Sequence, residues 1–149
     1  MIGLLQRVRQ AQVDIGTERV ASINAGLLVL VGVQHDDNEA TAERLLERLL
    51  GYRIFADADG KMNLNIKQTA GELLLVPQFT LAADTRSGMR PGFSTAASPA
   101  EGQQLFTYLV EQARMQPLPV ASGQFGKDMQ VSLVNDGPVT FWLEVNPRR

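Results

Sequence analysis

Two short segments carry the groups that could take part in chemistry. The first runs from Pro77 to Leu81, where an apolar stretch leads directly into polar side chains. Pro77 has no amide N–H and favours an extended residue before it, so we expect it to end ladder pairing there. The amides of Gln78 and Phe79 would then be free to stabilise a developing oxyanion, and Thr80 offers a hydroxyl nucleophile. A plain strand end with a proline breaker is the alternative interpretation.

The second segment runs from Asn135 to Thr140 and contains Gly137-Pro138. The preceding Asp136-Gly137 is a common hairpin signal, but glycine followed by proline is less usual inside a hairpin. A Gly-Pro bond adopts the cis form at modest cost, and the glycine leaves the nearby carbonyls sterically open. The segment therefore predicts either a rigid turn that presents backbone carbonyls or an ordinary connecting turn.

The composition excludes several kinds of chemistry. The 149 residues include no cysteine and one histidine, His35. Thiolate nucleophiles, disulfides and thiolate metal sites are therefore excluded, and we expect no protein-only zinc site. We interpret His35 as a surface residue near a helix cap rather than as a catalytic base. Phosphate-loop, dinucleotide and zinc-protease motifs are absent from the sequence, so we expect neither a cofactor nor a metal.

The charge balance argues mildly against a nucleic-acid partner. The formal net charge is −2, whereas phosphate binding needs locally positive surface. Three pairs could supply such patches, with solvated surface charge as the alternative: Arg7 with Arg9, Arg86 with Arg90, and Arg148 with Arg149. Neither an apolar run of the roughly 20 residues that span a bilayer nor a signal-peptide pattern is present. We therefore expect a cytoplasmic protein with no membrane partner.

Hydrophobic periodicity predicts one α+β domain over residues 1–149, built mainly from strands with two inserted helices. One helix follows a cap at Asp36–Asn38 and ends at Gly51; the other begins at the capping box Ser98–Glu101. Residues 82–97 are predicted to form a loop of a length that is often functional. The predicted strands are Ile2–Ile15, Glu18–Ile23, Leu27–Val33, Arg53–Phe55, Glu72–Val76, Gln130–Val134 and Val139–Val145.

Stretches spread over nearly the whole chain resemble the D-aminoacyl-tRNA deacylase family. They are residues 1–8, 25–33, 50–55, 60–65, 78–81, 88–91 and 129–140. So many matches in order make the resemblance specific, unlike either segment alone. The resemblance implies a curved, barrel-like sheet with two main helices. It also implies a homodimer with its active sites at the subunit interface, and the aminoacylated 3′ end of tRNA as the partner.

The same resemblance implies the reaction, which is hydrolysis of the ester between tRNA and a D-amino acid, or glycine mischarged on alanine tRNA. The Gly137-Pro138 bond is implied to be cis and to enter the partner subunit's pocket, where its carbonyls exclude L side chains by collision. Arg7 is implied to hold this turn in orientation. Catalysis is implied to use the segment Gln78-Phe79-Thr80, backbone groups near Phe79, and the 2′-hydroxyl of the terminal adenosine.

One position departs from the family pattern, which usually has serine where this chain has Pro77. The replacement removes a hydroxyl and an amide but leaves the amides of Gln78 and Phe79 for a backbone mechanism. Thr80 as a covalent nucleophile is the competing mechanism, although no base accompanies it in the sequence. The competing functions are a non-catalytic nucleic-acid-binding module of the same fold and a Thr80-based esterase for small substrates.

Overall fold

A single long strand organises the sheet. In the computed structural model, which describes residues 1–148, β1 (Ile2–Ile15) pairs along one edge with β3 (Gly26–Gly32) and then with β2 (Glu18–Ile23). Its other edge pairs with β8 (Gln130–Glu144) over nearly the full length. Because one twisted strand serves three antiparallel partners, the sheet curves and nearly closes on itself.

The sheet continues from β3 through two parallel strands, β6 (Glu72–Pro77) and β7 (Val120–Ser122). The apolar runs predicted for β3 and β6 are buried on both faces, as uninterrupted apolar strands should be. Gly26 allows the start of β3 to lie against β6, since a Cβ there would lie 1.9 Å from the carbonyl oxygen of Glu72.

The two α-helices of the described chain cover one face of the sheet. Helix α1 (Glu39–Gly51) begins at Asn38, whose side chain accepts the amide of Thr41, and α2 (Pro99–Arg114) begins at Ser98. Leucine side chains of both helices enter one buried cluster with β1, β3 and β6. The predicted helices and the single α+β domain are therefore confirmed, and no helix within residues 1–148 is long and apolar enough to cross a membrane.

The strands of the structure differ from the predicted strands at three places. The predicted strand Arg53–Phe55 lies at β4 (Phe55–Ala56), which pairs with an unpredicted β5 (Met62–Leu64). Strand β7 was also not predicted, because three residues are too short to show periodicity.

The third difference matters for function, because the two strands predicted at the C-terminus form one strand, β8. Both halves pair with the same β1, so the segment between them is a local excursion and not a hairpin. Gln6 lies opposite Thr140, and Val8 lies opposite Asn135. On β1 only Arg7 lies between these two pairs, whereas β8 has four residues there, 136–139, which therefore leave the ladder. The excursion is a β-bulge-like loop, a device that often lies beside functional sites.

Candidate active site

The end of β6 differs from the sequence-based expectation at two points. Pro77 still pairs with Val31 of β3, and the amide of Gln78 donates to the Val31 carbonyl at 2.8 Å. Pairing therefore continues on the β3 side, and the Gln78 amide is not free. Pro77 shares its parity with Leu73, whose amide points to the opposite edge and donates to Pro119. The missing N–H thus falls on the β7 side, where pairing does stop.

The amide of Phe79 meets the expectation that Gln78 does not. Phe79–Ala82 form a 3-10 turn, closed by bonds from Leu81 to Gln78 and from Ala83 to Thr80, both 3.2 Å. Within residues 1–148, the amides of Phe79 and Thr80 donate to no backbone acceptor. Of the two amides that the sequence predicts to be free, the Phe79 amide is unpaired among residues 1–148 and the Gln78 amide is not.

Gly32 allows this turn to lie against the sheet. A Cβ at Gly32 would lie 2.9 Å from the Cβ of Leu81 and 3.3 Å from the carbonyl oxygen of Gln78. The first distance is shorter than any normal contact, so a side chain at Gly32 would push the turn outward. The position of the Phe79 amide therefore depends on the absence of a side chain on β3.

The hydroxyl of Thr80 has one hydrogen-bond partner in the described chain, the side-chain amide of Gln78, which donates to it. An amide cannot act as a general base, and no carboxylate or imidazole bonds to Thr80 among residues 1–148. His35 is exposed and its Nδ1 lies 3.1 Å from the carboxylate of Asp36, as expected of a surface residue near the helix cap. The geometry thus lacks the base that a threonine nucleophile requires.

Two hollows meet at Phe79. One, of about 240 Å³, is lined almost entirely by apolar groups, including Val31 of β3 and Phe106 of α2. The other, of about 370 Å³, also contains polar and charged groups. Its lining includes Gln78, Phe79, Phe125, Lys127 and Met129. No sequence pattern singled out Phe125 or Lys127, which lie in an irregular segment between β7 and β8.

The long loop after the turn is joined to the site through an aromatic contact. Phe79 is 59% exposed, and its ring packs against Phe93 with centroids 5.4 Å apart and planes tilted by 43°. Asp84 and Gly92 pair across the loop, and Arg86 hydrogen bonds lower the pKa of Asp84 to about 2. The loop is thus internally braced and contacts Phe79, and its function stays a prediction.

The excursion of β8 is held from β1 by Arg7. The Nε of Arg7 donates to the Asp136 carbonyl at 3.0 Å, and its Nη1 donates to the Ile54 carbonyl at 2.8 Å. The Gly137-Pro138 peptide bond is cis, as the resemblance implies, and both residues are exposed.

Gly137 cannot readily be replaced at this turn. Its φ is +139°, a region that L side chains avoid, and a Cβ would lie 2.7 Å from Val139 Cγ2. The same Cβ would lie 3.2 Å from Arg7 Nη2. The turn and its arginine therefore form one closely packed unit.

Three arginines of the basic pairs suggested by the sequence contact nearby carbonyl or carboxylate groups of the protein itself. Arg7 binds carbonyls, and Arg86 is bidentate on Asp84. Arg9 is largely exposed and lies 3.7 Å from Asp136. For the pair Arg148–Arg149, the second residue lies outside the described residues.

The six predicted site residues form two sets. Gln78, Phe79 and Thr80 lie together at the end of β6, and Gly137 and Pro138 lie with Arg7 at the β8 excursion. No hydrogen bond or ion pair of residues 1–148 joins the two sets. Residues 1–148 contain no cluster of three or more His, Cys, Asp or Glu side chains that could hold a metal ion.

Comparison with known proteins yields a consistent result. A family model described as D-Tyr-tRNA(Tyr) deacylase matches residues 4–144. D-aminoacyl-tRNA deacylase of Pseudomonas syringae pv. tomato is 62% identical over 144 residues, covering 97% of this chain and 99% of that protein. The enzyme of the same name from Escherichia coli O81 is 60% identical over 145 residues, covering 97% and 100%.

Two solved structures share the fold. The "c-Myc DNA Unwinding Element Binding Protein" superposes with a TM-score of 0.93 at 33% identity, covering 99% of this chain and 100% of that one. A "probable eukaryotic D-amino acid tRNA deacylase" superposes with a TM-score of 0.81 at 16% identity, covering 95% and 97%. At that identity the second likeness shows the fold alone.

The nearly closed sheet, its two helices and the relatives that share them define a hydrolase of the deacylase class. Over 4–144 the match is to one family, and the chain belongs to the D-Tyr-tRNA(Tyr) deacylase family.

Proposed function

We propose that this deacylase hydrolyses the ester between tRNA and a D-amino acid, releases both products, and excludes L-amino acids with its Gly137-Pro138 turn. Glycine mischarged on alanine tRNA is a second substrate. The observation that carries the proposal is the braced and exposed turn, whose backbone is tied by Arg7 while Gly137 and Pro138 face solvent. The reaction takes place in the cytoplasm, where aminoacylated tRNA is used.

Exclusion by collision accounts for the proposed specificity. A stiff backbone next to the substrate's α-carbon leaves no room for an L side chain, whereas a D side chain points away from it. Because the side chain itself is not recognised, many D-amino acids are accepted. Glycine has no side chain to exclude and is accepted as well.

The proposed chemistry uses backbone and substrate groups. Water attacks the ester carbonyl, and the Phe79 amide stabilises the oxyanion that forms. When the oxyanion collapses, the bond to the tRNA 3′-oxygen breaks, and that oxygen takes up the proton that the water has lost. The 2′-hydroxyl of the terminal adenosine orients the water. The hollow that contains Phe79, Phe125 and Lys127 supports this arrangement, because aromatic rings bind bases and a lysine binds phosphate. Gln78 takes part through the hydrogen bond that its side-chain amide donates to the hydroxyl of Thr80.

The proposal requires two subunits, because the turn acts in the partner's pocket. In one chain the turn and the Phe79 segment are not hydrogen-bonded to each other. The outer edge of β8 is unpaired within residues 1–148, and large apolar side chains are exposed there and at the site. They include Val134 (44%), Trp142 (52%) and Phe79 (59%). An edge strand with exposed apolar residues is a common protein interface.

A substrate panel tests the function itself. We expect the purified protein to release amino acid from D-tyrosyl-tRNA and from glycyl-tRNA(Ala) and to leave L-tyrosyl-tRNA intact, measured as loss of labelled ester. Binding of all three without turnover would instead support the nucleic-acid-binding module. One structural relative is named for binding to DNA. Comparable hydrolysis of the L form would refute exclusion by the turn.

The role of Thr80 is tested by Thr80→Ala. Because the hydroxyl has no base, we expect kcat/KM on D-tyrosyl-tRNA to fall less than about tenfold, whereas loss of a true nucleophile costs about 10⁴-fold or more. Thermal unfolding of the variant checks that the fold is retained. Near-complete inactivity in a folded variant would favour a covalent mechanism or the Thr80-based esterase.

The role of the Phe79 amide is tested by a matched pair of substitutions. Phe79→Pro removes the N–H and the ring, and Phe79→Ala removes only the ring. The first position of a helical turn accepts proline, and Gln78 before it lies outside the helical region that proline disfavours, with φ −140° and ψ 79°. We expect kcat of Phe79→Pro to lie about 10²–10³-fold below that of Phe79→Ala, the usual effect of losing an oxyanion donor. Equal kcat values would show that the amide has no catalytic role.

Mixed dimers test whether the turn acts in the partner subunit. Gly137→Ala displaces the turn but keeps the Phe79 segment, so we expect its homodimer to hydrolyse L-tyrosyl-tRNA. Phe79→Pro keeps the turn but lacks the amide. Co-refolding Gly137→Ala with excess Phe79→Pro should restore discrimination against the L substrate. In the mixed dimer the only site with an intact Phe79 amide lies in the Gly137→Ala subunit, and it receives the intact turn of the Phe79→Pro subunit. An unchanged ratio of L to D hydrolysis would place the turn in its own subunit's site.

A further inference from the structure

Asn135 lies at the point where β8 leaves its ladder with β1, and its side chain spans the excursion. Its Oδ1 accepts the amide of Val139 at 2.7 Å, and its Nδ2 donates to the hydroxyl of Thr140 at 2.9 Å. A longer bond of 3.4 Å joins Nδ2 to the carbonyl of Val139. One carboxamide thus reaches across the excursion, from the residue before it to its last residue, Val139, and to Thr140, which follows it.

These contacts fix which way the carboxamide faces. A backbone N–H only donates, so the oxygen of Asn135 must face Val139, and the nitrogen must then face Thr140. An aspartate would keep the first bond but would turn an acceptor toward the carbonyl of Val139. The site therefore requires one donor and one acceptor on the same short side chain, which asparagine provides.

The hydrogen bonds of Asn135 complement the hydrogen bond that Arg7 donates to the turn. Arg7 binds the Asp136 carbonyl on the incoming side of the turn, and Asn135 binds Val139 on the outgoing side. Between them Gly137 and Pro138 are exposed and have no hydrogen bond in the described chain. With both ends held, the two exposed residues keep one orientation relative to β1.

We propose that Asn135, oriented by the hydroxyl of Thr140, is a positioning residue that sets the place of the Gly137-Pro138 turn and thereby the discrimination between D and L substrates. The proposal rests on the proposed function, in which the turn excludes L side chains. Asn135 acts through the turn and contacts no reacting atom. Its loss should therefore change the ratio of L to D hydrolysis more than it changes hydrolysis of the D substrate.

Four variants test this role. Asn135→Ala removes all three bonds, Asn135→Asp keeps the acceptor for Val139, and Thr140→Val removes the hydroxyl but keeps a branched side chain. Thr140→Ser keeps the hydroxyl and serves as the conservative rescue. Ser132→Ala, at an exposed position of the same strand, is the control outside the excursion. Each is assayed with D-tyrosyl-tRNA and L-tyrosyl-tRNA, and thermal unfolding is recorded.

We expect Asn135→Ala to raise the L-to-D ratio at least about tenfold, which corresponds to about 1.4 kcal/mol of lost discrimination. Thr140→Val and Asn135→Asp should move it in the same direction by less, while Thr140→Ser and Ser132→Ala stay near the parent. If Asn135→Ala does not fold, the Thr140→Val and Thr140→Ser pair decides the matter, and equal ratios for that pair refute the proposal.

The outcomes separate this proposal from the one on which it rests. A parent protein that hydrolyses both substrates refutes exclusion by the turn. A selective parent whose selectivity is lost in Gly137→Ala but kept in Asn135→Ala leaves the turn in its role and refutes the role of Asn135.

Discussion

The arrangement of the molecule depends on the two hydrogen bonds that Arg7 donates to main-chain carbonyls. Its guanidinium leaves the middle of β1 and joins Asp136 of the β8 excursion to Ile54 beside β4. A bond to a charged donor is stronger than one between neutral groups, and Arg7 is mostly buried, which limits competition by water. Through these bonds the long strand at the centre of the sheet positions an exposed turn that lies outside the ladder.

The same reliance on main-chain groups appears at the end of β6. Gln78 is held to β3 by its amide, the turn after it is allowed by the bare α-carbon of Gly32, and the Phe79 amide is left without an acceptor. Both sets of site residues thus present backbone atoms whose place is set by strands and by glycines. The sequence has no cysteine, its one histidine is exposed beside Asp36, and no carboxylate or imidazole of residues 1–148 bonds to Thr80. The proposed mechanism therefore depends on position and on groups supplied by the substrate.

Sequence patterns predicted the parts of the fold in which local signals agree with tertiary pairing. Strands β1, β2, β3 and β6 and both helices have the periodicity and caps that their burial requires. The patterns failed where pairing overrides local chemistry. Asp136-Gly137 suggested a hairpin, yet β1 pairs with both flanking segments and makes them one strand. The Gln78 amide was expected to be free because proline interrupts a ladder, but a strand inside a sheet has two edges and Pro77 interrupts only one.

This edge dependence also explains how the chain accommodates Pro77 at the end of β6. The side of β6 that holds the functional turn is the β3 side, and there the bond from Gln78 to Val31 is intact. On the other side β7 has already stopped pairing, and Gly123, the last residue to bond there, leaves room for the proline ring, since a Cβ on it would lie 3.3 Å from Pro77 Cδ. A proline at this position removes an N–H only from the edge of β6 that does not set the position of Phe79. A mechanism based on the Phe79 amide tolerates that change, whereas one based on a hydroxyl at position 77 does not.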